Sequence, residues 1–271
     1  MKIEAYIICW NEAKILPWVL QYWHYAGIDK LIVYDNGSDD DTLAILNDFP
    51  LTVEVRHYDS GGEANDWIYA DIKNNCWKGT DADWVFVGDT DEVLFAPVRL
   101  KEYLKGVEAP ILQPCLYQLV AWALPRNYYR TETPGRYGNG MQLLHEYDEV
   151  RLQKLGPNKI NFFQPGKVEE MDYELGAHKC HPRIKIKADG FGDPVPVKYR
   201  ENLSWFHLKN LGVEYLLQRN AELYARLPQK VKDEGRIACH YLPGTDVHNV
   251  AAGLADMWAD AKPFNAFDTL L

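Results

Sequence analysis

Absences narrow the reading of this 271-residue chain before any motif is considered. No two cysteines have Cys-x-x-Cys spacing, and the five that exist, Cys9, Cys76, Cys115, Cys180 and Cys239, are scattered and odd in number. A disulfide framework is therefore excluded, and the thiols read as reduced core residues. No stretch approaches the roughly 20 apolar residues that a membrane span requires. The first residues, Met1-Lys2-Ile3-Glu4-Ala5-Tyr6, already follow a strand pattern, so a cytoplasmic location is the expectation. Positive charge is scarce: 29 Lys and Arg stand against 39 Asp and Glu, a net charge of -10. That balance excludes a general nucleic-acid binder, which needs clustered cations to release phosphate counterions. Internal repeats and low-complexity tracts are also missing.

What is present is the composition of a folded globular protein, 47% hydrophobic and 25% charged, with a long enough chain to bury a sizeable core. Aromatic residues are abundant, including 9 Trp and 17 Tyr. Such rings can stack on sugars and bases, but in a chain of this size most should fill the core.

The apolar pattern alternates between strand and helix. Ile3–Cys9 is a short buried strand, residues 15–25 carry Leu16, Val19, Leu20 and Trp23 on one helical stripe, and Gly27 ends that helix. A second strand covers 30–34 and a helix 43–48. A third strand follows at 51–57, a third helix at 63–77, and a fourth strand at 84–87, with Gly88 expected to break it. Successive βα units imply a parallel sheet with right-handed crossovers. Beyond residue 95 the rhythm is lost: an apolar segment at 111–124, a polar stretch at 126–140, a strand-like run at 173–177, and an amphipathic helix at 213–227. Trp258, Phe264 and Phe267 in the tail are expected to dock back onto the body.

The sharpest local feature is Trp84-Val85-Phe86-Val87-Gly88-Asp89-Thr90-Asp91-Glu92, a doubly buried strand that delivers three acids at its carboxyl end. Open α/β sheets bind ligands at that end. Asp89 and Asp91 can turn oxygens toward one hard cation, and Mg²⁺ or Mn²⁺ held by few protein oxygens keeps positions for substrate phosphates.

Taken with Cys9-Trp10-Asn11-Glu12-Ala13 and Tyr34-Asp35-Asn36-Gly37-Ser38-Asp39-Asp40, this segment resembles the GT-A glycosyltransferases of the family-2-like group, over roughly residues 3–95. The resemblance implies an α/β GT-A fold: a Rossmann-like, mostly parallel nucleotide-binding sheet, a smaller acceptor-side mixed sheet, and C-terminal helices. It implies one domain over 1–271, with a nucleotide-binding half at 1–95, an acceptor side at 96–227 and a packed tail at 228–271. The activity it implies is metal-dependent transfer of a hexosyl or pentosyl group, with inversion, from a nucleoside diphosphate donor such as a UDP-sugar to a hydroxyl of a saccharide or glycoconjugate acceptor.

Residue by residue, the resemblance implies that Cys9, Asn11 and Glu12 line the nucleotide pocket and that Asp35 accepts a hydrogen bond from uracil or ribose. Asp91 would hold the metal and Asp89 would share the metal and the ribose, with Thr90 between them in the donor site. Asp35 also reads as an Asx-turn residue of a Gly-Ser loop, and Asn11 as a helix N-cap. Asp39, Asp40 and Asp41 read as charges at a helix N-terminus, and Glu92 as a group that orients the sugar. His207, at the end of a strand-like run, takes the place of the late histidine that completes the metal shell in many GT-A enzymes. In His178-Lys179-Cys180-His181-Pro182-Arg183 the nearby cations disfavour zinc; Lys159, His178 and Arg183 read instead as contacts to the diphosphate or acceptor, or as a solvated basic loop.

Inversion requires a base at the acceptor hydroxyl. The candidates are Glu169, Glu170, Asp172, Glu174, Asp189 and Asp193, with Asp172 first and Glu170 next. Two alternatives use other chemistry. A sugar-phosphate nucleotidyltransferase needs a Gly-rich loop after the first strand, which residues 10–13 do not provide. A non-catalytic sugar-binding module would be indifferent to metal.

Overall fold

The structure is a computed structural model, described here over residues 1–125, 143–185, 197–234 and 247–264. Four strands, β1 (Ile3–Cys9), β2 (Lys30–Asp35), β3 (Val53–His57) and β4 (Trp84–Asp89), pair in parallel in the order β3-β2-β1-β4. β1 lies between two neighbours and is covered on both faces, which is why Ile3, Ala5 and Ile7 on one face and Glu4 and Tyr6 on the other are all buried.

The crossovers are α1 (Leu16–Ala26), α2 (Thr42–Asp48) and α3 (Asp66–Asn75). α1 presses Trp18, Tyr22 and Trp23 into the core and stops at Gly27, whose φ of 72° suits a left-handed cap. The Asn65 side chain caps α3 by accepting from the Trp67 and Ile68 amides, at 3.1 and 3.4 Å.

Gly88 does not break β4, which continues to Asp89. A Cβ at Gly88 would lie 2.7 Å from a Glu92 carboxylate oxygen and from the Phe86 ring, so glycine lets those two groups close over the strand. The chain then reverses at once into β5 (Glu92–Phe95), followed by α4 (Leu100–Tyr103).

The mixed strands continue the same sheet. β6 (Ile111–Ala121), β7 (Val150–Pro157), β8 (Phe162–Phe163) and the long β11 (Val197–Leu211) extend it in the order β4-β8-β6-β11-β5, with β7 also on β6. Six of the nine strands point the same way; β5, β7 and β8 oppose them. β9 (Val168–Glu170) and β10 (Arg183–Ile184) form a separate antiparallel pair. α5 (Val213–Arg226), α6 (Gln229–Glu234) and α7 (Val247–Asp260) complete the chain. α7 buries Val250 and Leu254, and the Phe264 ring lies 5.7 Å from Phe95. Phe267 lies outside the described residues.

The strand expected at 173–177 is absent. Asp172, Gly176 and Ala177 have φ of 48°, 71° and 53°, which an extended strand cannot hold, and Leu175–Ala177 forms a 3-10 turn instead. The large aromatics mostly fill the core, among them Trp18, Trp23, Phe86, Phe162, Phe163, Trp205 and Phe206. Among the described residues, no helix is long and apolar enough to cross a membrane.

Candidate active site

The carboxyl ends of β1 and β4 open into a cavity of about 820 Å³. The sheet holds its floor. Thr90 donates to the Ile8 carbonyl from its backbone amide at 3.2 Å and from its hydroxyl at 2.7 Å, tying the acidic turn to β1. On the other side the Leu208 amide donates to the Asp91 carbonyl at 2.8 Å, and His207 stands opposite Glu92 in the β5–β11 ladder. Two strands far apart in the sequence, β5 and β11, are thus registered so that Asp91, just before β5, and Glu92 and His207 offer one donor atom each within 4.8 Å of one another.

α3 supplies a wall through Asp66, Tyr69, Ala70 and Lys73, which recur at i, i+3, i+4 and i+7 and share one helical face. α5 supplies another through Arg219, Leu223 and Arg226. Trp10 at the end of β1 lies under the Arg226 guanidinium, 3.7 Å from ring centroid to charge centre. The far end is lined by Leu116 and Gln118 of β6, by Asn158 and Lys159, and by 175–178.

Five carboxylates line the cavity, Glu12, Asp66, Asp89, Asp91 and Glu92, and five cations face them, Lys73, Lys159, Lys209, Arg219 and Arg226. Asp89 pairs with Lys73 at 2.7 Å and Lys159 at 3.5 Å. Glu92 pairs with Lys159 and accepts the Asp89 amide at 3.2 Å. Asp91 pairs with Arg219 at 2.9 Å and His207 at 3.3 Å. Arg219 reaches Glu12 as well, at 3.4 Å.

Burial opposes ionisation of all these acids, and the cations decide the outcome. For Asp91 the Arg219 guanidinium and His207 outweigh burial and hold the carboxyl well below the ordinary range. Lys73 and Lys159 do the same for Asp89. For Glu92 burial prevails over Lys159, and its pKa is raised. Glu12 is pushed up to about 7, by burial first and against the pull of Arg219. Burial and the neighbouring Asp89 charge raise Asp66. Burial lowers Lys209, with Arg219 adding to the effect, and lowers His178, with Lys159 adding.

The residues expected from the sequence separate into three groups. Cys9, Glu12, Asp89, Thr90, Asp91, Lys159, His178 and His207 all line the cavity. Asp35 and Asn11 do not: Asp35 is fully buried and spends its oxygens on its own turn, accepting from the Gly37 and Ser38 amides at 3.1 and 3.2 Å and pairing with His57 at 3.2 Å. Asn11, at φ 50°, exchanges hydrogen bonds with Asp39. The Asx-turn reading describes Asp35, whereas Asn11 is not the helix N-cap expected of it: α1 starts after Ile15, with no side-chain cap. Asp172 and Glu170 also lie outside the cavity lining, where Asp172 pairs with Arg183 at 3.1 Å and Glu170 with Lys78 at 2.7 Å. Asp189 and Asp193 fall outside the described residues.

The side chains that come within reach of one ion are Asp91, Glu92 and His207, while Asp89, expected beside Asp91 and His207, pairs with Lys73 and Lys159, and Glu92 pairs with Lys159 as well. Two carboxylates and one imidazole, all hard or borderline donors facing a cavity, suit a divalent cation.

The sequence matches no protein-family model and no curated protein. Among solved structures, its fold is similar to that of S. aureus TarS, with 11% identity, a TM-score of 0.45, and coverage of 98% of this chain and 45% of TarS. A TarS structure in complex with UDP-GlcNAc gives 12% identity, a TM-score of 0.44 and coverage of 98% and 75%. Glucosyl-3-phosphoglycerate synthase from Mycobacterium tuberculosis, solved with Mn²⁺ and UDP, is 22% identical with a TM-score of 0.28, covering 42% of this chain and 44% of that one. The chain thus spans under half the length of the whole TarS chain.

Proposed function

We propose that this protein is a metal-dependent glycosyltransferase that takes a nucleoside diphosphate sugar, with UDP as the nucleotide, and transfers the sugar to a hydroxyl of a saccharide or glycoconjugate with inversion. The observation that carries the reading is the Asp91, Glu92 and His207 cluster at the carboxyl ends of the sheet, with Lys159 against Glu92 and Lys73 against Asp89 in the same cavity. Asp91, Glu92 and His207 would hold Mn²⁺ or Mg²⁺. When bound, such an ion neutralises charge on the departing diphosphate.

The chain's own groups divide the remaining work. Lys73 and Lys159, both buried, present ammonium groups that favour the negative charge developing on the leaving group. Trp10, backed by Arg226, offers an aromatic face beside Tyr58 and Tyr69 for the flat base. The acceptor proton needs a carboxylate within hydrogen-bond reach. Three cavity carboxylates lie outside the metal cluster: Asp89, which Lys73 and Lys159 hold ionised, and Glu12 and Asp66, which both have raised pKa values and so suit a base. The base role therefore moves from Asp172 and Glu170 to these two.

Calorimetric titration of UDP with Mn²⁺ or with chelator tests the reading. Binding that depends on Mn²⁺ in the native protein and is lost in Asp91→Asn is the expected outcome. Failure of every nucleoside diphosphate to bind, or metal-dependent binding retained by Asp91→Asn, would end it.

A further inference from the structure

By formal charge the cavity is balanced before any ligand arrives, with five carboxylates against five lysines and arginines among the described residues that line it. The balance is built from specific pairs. Asp91, the carboxylate at the centre of the donor cluster, has one oxygen, Oδ2, contacted by both Arg219 at 2.9 Å and His207 at 3.3 Å. The arrangement places a guanidinium where a divalent cation would place its charge.

We infer that Arg219 is an internal counter-ion for Asp91, which must leave that oxygen when a divalent cation takes it, so that metal uptake is weak alone and is driven by the arrival of a nucleoside diphosphate. This rests on the proposed metal and nucleotide site and adds the residue that couples the two ligands.

The physical argument is a charge ledger in a partly buried site, where an unbalanced charge is costly. A divalent cation alone adds positive charge to a cavity already neutral and has to displace a guanidinium from its partner. A diphosphate alone adds negative charge opposite five acids. Together the two nearly cancel, and the displaced guanidinium gains an anion to face. Each ligand therefore strengthens the other by the same factor, as linkage requires.

Arg219 has the means to move. It sits on α5 with Glu12 as a second partner, and its side chain forms part of the wall between the large cavity and a neighbouring pocket of about 260 Å³ that Gln218, Glu222 and Asp40 also line. The backbones that carry Asp91 and Glu92, by contrast, are tied to β11, Asp91 through its carbonyl to the Leu208 amide and Glu92 through the ladder opposite His207.

The test measures Mn²⁺ affinity by calorimetry for the native chain, Arg219→Gln and Arg219→Lys, each with and without UDP. The native protein is expected to bind Mn²⁺ about tenfold or more tightly when UDP is present, a typical coupling. Arg219→Gln is expected to bind Mn²⁺ alone about tenfold more tightly than the native chain and to lose most of the UDP enhancement. Arg219→Lys keeps the charge and should stay near native behaviour, which separates loss of the counter-ion from a folding defect monitored by thermal melting. Equal or weaker Mn²⁺ binding by a folded Arg219→Gln overturns the counter-ion role and leaves the metal site standing. Absence of Mn²⁺ binding in every variant, with and without UDP, overturns the metal site itself and the inference with it.

Discussion

The acidic and basic walls of the cavity are built in different ways. Asp89, Asp91 and Glu92 come from four consecutive residues held by strand ladders on both sides, and His207 is registered against them in the same sheet. The cations come from α3, the segment before β8, the end of β11 and α5, and reach the acids with long side chains. The acids thus hang from backbone tied by hydrogen bonds, whereas the cations reach them on long side chains, Arg226 being held by the Gly62 carbonyl and the Trp10 ring. A site made this way keeps its donor atoms in place while its counter-ions exchange, the property a cavity needs if it must accept both a metal and a diphosphate.

The largest effect expected from breaking the acidic wall is at Asp91. Asp91→Asn takes a charged oxygen donor from the Asp91, Glu92 and His207 cluster, and metal-dependent UDP binding should fall roughly 100-fold or more by calorimetry, the factor that corresponds to about 3 kcal/mol lost at one buried charge contact. Breaking the basic wall at Lys159 leaves Glu92 buried without its cation. Lys159→Met is expected to destabilise the fold by about 3 kcal/mol in a urea melt, and a change under 1 kcal/mol would show that the wall is not held by charge.

Glu12 sharpens the comparison through pH. Its folded pKa is raised from 4.5 to about 7, so its contribution to stability is full below the unfolded value and is lost as pH rises through about 7. The native chain should lose roughly 1–3 kcal/mol relative to Glu12→Gln over that window, and parallel melting curves for the two would contradict the raised pKa. The stacked pair at the cavity mouth is worth less. Trp10→Ala should weaken UDP binding by about 1 kcal/mol, a few-fold change that Trp10→Phe largely restores. Asp172→Asn and Glu170→Gln, with their ion pairs on the outside, should leave donor binding as it is.

The same division explains what could be read from the sequence. The parallel strands, their helices and the acidic turn depend on local periodicity and on residues adjacent in the chain, and β1 to β4 fall close to where the apolar pattern places them. Glu92 as a donor could not be read, because its partner His207 lies 115 positions away and meets it only through the antiparallel β5–β11 register. Lys73 and Arg219 carried a fainter signal. Each is a cation on the same helical face as large cavity-lining residues, Tyr69 and Leu223, but such a face normally reads as a solvated edge. Asp35 shows why one residue supports two readings: an aspartate at a strand end before Asn-Gly-Ser serves a turn and a ligand equally well in sequence, and here its oxygens accept from the turn amides.

The most direct measurement is a crystal of the protein grown with UDP and Mn²⁺ and recorded for the anomalous signal of manganese. A single strong peak among Asp91, Glu92 and His207, with the diphosphate between that peak and Lys73 and Lys159 and with Arg219 off Asp91 Oδ2, is the expected result. A peak held by Asp89 alone, or UDP bound away from this cavity, would contradict the account.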